Sequence, residues 1–202
     1  MGRVTGSVTR MRQGWFRRKP LRDHSDVVVY LEGVRGPPLA PPSEAHEIRQ
    51  VNKQFVPAVS AVVVGTTIDF PNDDKFFHNV FSLSQTAPFD LGLYKSGTSK
   101  VVTVERTGVV NVYCNIHPNM AASVLVLENR HFAVTGRDGT FSLEGVPAGN
   151  YPIVAWQPRG EIYRGEVTIR PGSPANVAIE LLIDRSTTHH TRKDGTPYGR
   201  YR

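Results

Sequence analysis

No window of this chain sustains a helical period. Its apolar residues fall in short runs rich in β-branched side chains, such as Val109-Val110-Asn111-Val112-Tyr113, with turn residues between them. Eighteen glycines and fifteen prolines among 202 residues punctuate those runs. A chain so interrupted closes its core with sheets, so the expected fold class is all-β with many turns. The length is above the usual single-domain size yet within reach of one large β unit, so one or two domains are allowed. The longest apolar run, residues 58–65, is far too short to span a bilayer, and no transmembrane helix is expected.

Cys114 is the only cysteine, which rules out an internal disulfide, and it opens the loop Cys114-Asn115-Ile116-His117-Pro118-Asn119-Met120 directly after a strand-like run. The run Ala121 to Glu128 reads as the return strand. Cys, His and Met at this spacing can converge from one short loop, and His78 in Phe77-His78-Asn79-Val80 is a fourth candidate ligand. A thiolate, two imidazoles and a weak thioether form a copper set, because soft sulfur holds Cu(I) and imidazole suits both oxidation states. Taken singly, each residue has a plainer reading: a buried cysteine as a small hydrophobe, a histidine as a satisfied polar group, a methionine as a gap filler. Their joint spacing favours the metal. Zinc accepts Cys and His, but methionine is not among its usual ligands. Covalent haem would need Cys-x-x-Cys-His, which is absent. A Cys-His nucleophilic pair would need an orienting third residue and an oxyanion site, and nothing marks either.

The segment from about residue 48 to 128 resembles the cupredoxins. It carries the Cys-x-x-His-Pro-x-Met loop of amicyanin-like members and the upstream His-Asn-Val of plastocyanin-like ones. The resemblance implies a Greek-key β-sandwich holding one type 1 copper, with His78, Cys114 and His117 as the trigonal ligands and Met120 as the weak axial one. It further implies that the Asn79 side chain bonds near Asn115 while its backbone N–H points at the Cys114 sulfur. Phe76, Phe77, Phe81 and Pro118 are read as excluding water from the metal or, alternatively, as ordinary packing. His117 is the expected main electron exit, and Tyr113, preceding the cysteine, a second one. Asp73 and Asp74 in Pro71-Asn72-Asp73-Asp74-Lys75 read as a solvated turn.

Downstream the pattern changes. Phe132 to Leu143 contains two short strands around Asp138-Gly139, and Val146-Pro147-Ala148-Gly149-Asn150-Tyr151 leads into a strand ending at Trp156. Alternating strands over residues 161–169 and 175–183 follow. This part resembles the carboxypeptidase regulatory-like, transthyretin-like β-sandwich, whose opening strand pair lies far upstream here, as Gly2-Arg3-Val4-Thr5-Gly6-Ser7-Val8 and residues 26–34. The expected organisation is a discontinuous sandwich of residues 1–34 plus 130–183, with a copper domain at 36–128 inserted behind Pro37-Pro38 and Pro41-Pro42. A linear tandem is the rival. Residues 184–202 read as a flexible basic tail. The sandwich is read as a scaffold, with carbohydrate binding as the alternative, since Tyr151, Trp156 and Tyr163 alternate into a core.

The formal net charge of +6 is uneven: residues 1–22 hold seven Lys/Arg and no acid, the tail five against two, and the body between twelve against sixteen. Basic ends around a mildly acidic body do not make a nucleic-acid face. They are either solvated termini or docking segments, led by Arg17-Arg18-Lys19, for an acidic partner or anionic surface. His24, His46 and His131 lack partners at ligand spacing and read as surface residues; His189-His190 is a weak metal candidate. Seven histidines are too few for a multicopper enzyme, so an enzyme is not expected. The reading is a one-electron carrier between redox partner proteins, such as a c-type cytochrome, a dehydrogenase or an oxidase. The alternatives are copper capture or delivery, and a metal-free adhesion or sugar-binding module. No apolar leader is visible after Met1-Gly2-Arg3-Val4. The cupredoxin resemblance implies a periplasmic or otherwise exported protein whose leader has been removed, and the alternative is a cytoplasmic one.

Overall fold

The computed structural model describes residues 1–15, 17–36, 40, 42–183 and 190–198. Among these residues every regular element is a strand, as the period of the apolar runs requires, and no helix is long and apolar enough to cross a membrane. The chain opens with β1 (Gly2–Arg12), β2 (Lys19–Pro20) and β3 (Val28–Leu31). Next come β4 (His46–Glu47), β5 (Arg49–Val51), β6 (Gln54–Val56), β7 (Val59–Val63) and β8 (Thr67–Asp69). They are followed by β9 (His78–Ser82), β10 (Phe89–Tyr94), β11 (Val101–Thr103), β12 (Gly108–Cys114) and β13 (Ala121–Leu127). The chain closes with β14 (Phe132–Val134), β15 (Thr140–Val146), β16 (Gly149–Trp156), β17 (Tyr163–Ile169) and β18 (Ala175–Leu182).

These strands divide between two compact units, one of Met1–Leu39 with Asn129–Ser186 and the other of Ala40–Glu128 with Thr187–Arg202. In the first, β1 lies between β15, antiparallel, and β18, parallel, and β2 continues that sheet. A second sheet runs β14-β3-β16-β17. The two sheets share one apolar core, which Val4, Val8, Phe141, Leu143, Ile179 and Leu181 enter from the first sheet and Val29, Leu31, Ile153 and Val167 from the second. Two-residue alternation puts Phe141, Leu143 and Val167 inside while their neighbours face water. The Asp138-Gly139 turn does not close a hairpin: β14 pairs with β3 and β15 with β1, so the chain crosses between sheets there. Gly139 takes φ 75°, and a Cβ on it would stand 2.2 Å from the Val8 carbonyl oxygen.

The second unit holds the candidate site. Its main sheet runs β10-β9-β12-β13-β7, with β7 parallel to β13 and the other pairs antiparallel. A smaller sheet runs β11-β8-β4, and β5 and β6 form a separate hairpin. Ile48, Phe55, Ile68, Phe70, Val80, Val110, Val112, Val124 and Val126 make the core. Along β12, Val110, Val112 and Cys114 are buried while Asn111 and Tyr113 are only half-buried, so the strand's period of two turns Cys114 inward. All five residues of β9 are buried, which carries His78 into the same core.

Candidate metal centre

The site forms where two strands end. His78 begins β9 and Cys114 ends β12, and these strands pair directly, with Cys114 opposite Val80. After Cys114 the chain turns back tightly: the Met120 N–H donates to the His117 carbonyl (3.1 Å) and the Cys114 N–H to the Met120 carbonyl (3.2 Å), which places His117 over the strand ends. His78, Cys114 and His117 thereby come together, His78 and Cys114 fully buried and His117 half-buried.

Their ligand atoms form a nearly regular triangle. His78 Nδ1 and His117 Nδ1 are 3.1 Å apart, and Cys114 Sγ lies 3.9 Å from the first and 3.7 Å from the second. A point equidistant from corners so spaced lies about 2.1 Å from all three atoms, at the metal–nitrogen bond length and about 0.2 Å short of the metal–thiolate one. The three donors therefore lie close enough to be shared by a single metal ion. Met120 is fully buried in the same core cluster as Cys114.

Electrostatics prepare the sulfur as a ligand. Burial pushes the Cys114 thiol up, but hydrogen bonds from His78 and from the backbone N–H groups of Asn79, Ile116 and His117 outweigh it and hold the thiol below its ordinary value. Burial lowers His78, while the hydrogen bonds to Cys114 and Asp74 more than reverse that and leave it raised. His117 is lowered, by burial first and then by the nearby charges of His78 and Lys53.

Several surrounding residues differ from the sequence expectation. The Asn79 backbone N–H is among the groups that lower the Cys114 thiol, but the Asn79 side chain does not bond near Asn115. Asn79 Nδ2 instead donates to Asp90 Oδ1 on the adjacent strand β10 (2.7 Å), because an ionised carboxylate is a stronger acceptor than an amide. Asn79 Oδ1 has no hydrogen-bond partner among the described residues. Phe76 and Phe77 do not seal the site: they are 52% and 56% exposed, and the Lys53 ammonium sits 4.8 Å above the Phe76 ring. Phe81 is buried and packs against Tyr113, and Pro118 is half-buried. His24 and His46 are more than surface residues: His24 Nδ1 accepts the Arg10 N–H (3.1 Å), and His46 Nε2 bonds Ser60 Oγ (2.9 Å).

The sequence missed Asp74. Rather than lying in a solvated turn it is 7% exposed, and its Oδ2 stands 2.9 Å from His78 Nε2. Asn72 Oδ1 accepts the Asp74 N–H and Asn72 Nδ2 donates to the Phe76 carbonyl, a local turn that sends Asp73 out to Arg49 and Asp74 inward. The spacing of four residues before His78 was the available signal, obscured by the turn-like composition of residues 71–75.

The other surprise is the tail. His189 lies outside the described residues, but residues 190–198 belong to the second unit rather than extending freely into solvent. Lys193 donates from its backbone to Asn115 Oδ1 (2.9 Å) and from its ammonium to Asp90 Oδ2. The Tyr198 hydroxyl donates to the Cys114 carbonyl, and the His190 ring stacks on Tyr113 with centroids 4.3 Å apart. Charged and aromatic side chains spaced over nine residues supply these contacts. Such a pattern carries no period that would mark it as packed.

No protein-family profile matches the chain, and no curated protein matches it. Solved structures do. A copper-containing nitrite reductase from Thermus scotoductus SA-01 is similar at 26% identity and TM-score 0.41, over 43% of this chain and 23% of that one. An oxidised single-site mutant of amicyanin is similar at 20% identity and TM-score 0.39, over 42% of this chain and 84% of that one. A purple cupredoxin from Nitrosopumilus maritimus is similar at 26% identity and TM-score 0.37, over 42% of this chain and all of that one. The chain thus spans about a quarter of the nitrite reductase it resembles.

Proposed function

We propose that the protein is a type 1 copper electron carrier, and the observation that carries the proposal is the triangle of His78 Nδ1, Cys114 Sγ and His117 Nδ1. Copper, when bound, supplies a one-electron couple between Cu(I) and Cu(II). The two imidazoles and the thiolate would hold it, with the buried Met120 thioether as a weak fourth ligand. Hydrogen bonds to the Cys114 sulfur lower its pKa against the opposing effect of burial, which favours the thiolate form that a metal requires. His78 is fully shielded, whereas His117 reaches toward solvent and is the route by which electrons enter and leave. Anchoring three ligands to paired strand ends and one short turn limits rearrangement between oxidation states.

In this reading the protein carries electrons rather than catalysing a reaction, and His78, Cys114 and His117 are the carrier's own ligands. Its partners are redox proteins, such as a c-type cytochrome, a dehydrogenase or an oxidase, and it works in the periplasm or otherwise outside the cytoplasm. The exposed Arg17, Arg18 and Lys19 supply a docking segment for an acidic partner. The first unit is a transthyretin-like sandwich that acts as scaffold. In its Val146-Pro147-Ala148-Gly149-Asn150-Tyr151 turn the Tyr151 hydroxyl oxygen lies 3.0 Å from where a Cβ on Gly149 would stand, which favours glycine there.

The test is an absorption spectrum of the purified protein after stoichiometric Cu(II), repeated on Cys114→Ser. An intense thiolate-to-copper band toward the red end of the visible range, absent in the variant, supports the carrier. A colourless protein that retains no copper sinks it.

A further inference from the structure

We infer that Asp74 is a positioning residue for the metal centre: it fixes His78 with its proton on Nε2 and its bare nitrogen Nδ1 toward the metal, and its charge biases the site toward oxidised copper. The inference rests on the copper reading above.

The geometry is specific. Asp74 Oδ2 faces His78 Nε2 at 2.9 Å, while Nδ1 of the same ring faces Cys114 and His117. A carboxylate only accepts hydrogen bonds, so the proton of a neutral His78 sits on Nε2 and the Nδ1 lone pair is left for the ion. A carboxylate behind a ligating imidazole orients the ring and raises its basicity.

Asp74 is itself held firmly. The hairpin between β5 and β6 turns at Asn52 and Lys53, both at positive φ (53° and 57°), and this conformation aims their two backbone N–H groups at the carboxylate. Asn52 N donates to Oδ1 at 2.6 Å and Lys53 N to Oδ2 at 2.7 Å. The hairpin is braced from behind. Buried Gln50 donates from its side chain to the Phe70 carbonyl and to the Tyr94 hydroxyl, and Tyr94 donates to that same carbonyl (2.9 Å). An acid so buried and so bonded would be an unusual outcome for a solvated turn, and it leaves Asp74 a fixed negative charge rather than a mobile one.

The consequence for redox chemistry follows from charge alone. The Cys114 thiolate and the Asp74 carboxylate together cancel the two charges of Cu(II) and exceed the one charge of Cu(I). A buried site is stabilised when its net charge is small, so Asp74 favours the oxidised form and lowers the reduction potential.

Two measurements test this. In the copper-free protein, at a pH where His78 is neutral, nitrogen NMR should find the proton of His78 on Nε2. A proton on Nδ1 overturns the positioning role, and this readout needs neither metal nor variant. In Asp74→Asn, checked for native circular dichroism, Cu(II) affinity should fall at least tenfold more than Cu(I) affinity. Tenfold in that ratio corresponds to a rise of about 59 mV in potential for one electron. Equal loss of both affinities would show a structural role alone and overturn the charge bias. A wild-type protein that takes up no copper defeats the carrier reading itself, whereas the His78 tautomer still tests Asp74 separately.

Discussion

Asp90 offers a quantitative test of the tail's attachment to the metal-site unit. Its carboxylate is lowered from 3.8 to about 2, first by the hydrogen bond from the Lys193 ammonium, against a burial penalty that raises it, and then by the Gly92 N–H (2.9 Å) and the Asn79 amide. At 1.36 kcal/mol per pKa unit the whole shift would amount to about 2.4 kcal/mol. Lys193 and Asp90 are 43% and 40% exposed, however, so solvent screening reduces the realised stabilisation to about 0.5–1 kcal/mol. The sign follows from the direction of the shift. The folded pKa lies below the unfolded one, so this stability is present above about pH 4 and is lost as pH falls through about 2. The assay is a carbon NMR titration of the Asp90 carboxyl in the wild type and in Lys193→Ala, together with denaturant unfolding at pH 5 and 2.5. Lys193→Ala should raise the Asp90 pKa toward its ordinary value without reaching it, because two donors remain. Asp90→Asn should lose less stability between the two pH values than the wild type. An Asp90 that titrates at its ordinary value in the intact chain, or identically with and without the Lys193 side chain, would refute the tail's engagement.

Two further predictions concern packing. A Cβ at Gly6 would stand 2.0 Å from the Val177 carbonyl oxygen and 2.7 Å from Phe141 Cζ, and β1 cannot shift because it is paired on both sides. Gly6→Ala should therefore cost about 3 kcal/mol in denaturant unfolding of the first unit, and a loss below about 1 kcal/mol would contradict the placement of β1 between β15 and β18. In the second unit, fully buried Phe70→Ala should cost about 3–5 kcal/mol, whereas Phe77→Ala, at an exposed position, should stay within about 0.5 kcal/mol. Comparable losses for the two phenylalanines would contradict their assigned burial.

The readable parts of this chain are those whose physics is local. Alternation along residues 109–114 implies a strand with Cys114 turned inward. The spacing Cys114, His117, Met120 implies a turn that returns the chain over the strand end. His78 was readable as a candidate ligand chiefly through its resemblance to a known His-Asn-Val strand, since nothing in its own surroundings brings it within 4 Å of Cys114. The pairing of β9 with β12 does that. Asp74 went unread because Pro71-Asn72-Asp73-Asp74 has turn composition, and composition does not say which carboxylate points inward. The orientation depends on the Asn52-Lys53 hairpin, some twenty residues away in sequence. Asn79 illustrates the same point: its choice of Asp90 over Asn115 depends on the neighbour across β9 and β10.

The sequence by itself therefore determined the all-β class, the absence of long helical or membrane-spanning runs, and the set of residue types able to hold copper. Each of these depends on the period, polarity or chemistry of neighbouring residues. Only the tertiary structure decided that the first strand lies between two strands from the far end of the chain, that Asp74 stands behind His78, and that residues 190–198 rest against the metal loop. Those contacts join residues from 4 to more than 170 positions apart. Long-range pairings are selected by the shape and charge of the assembled core, which no local window of sequence contains.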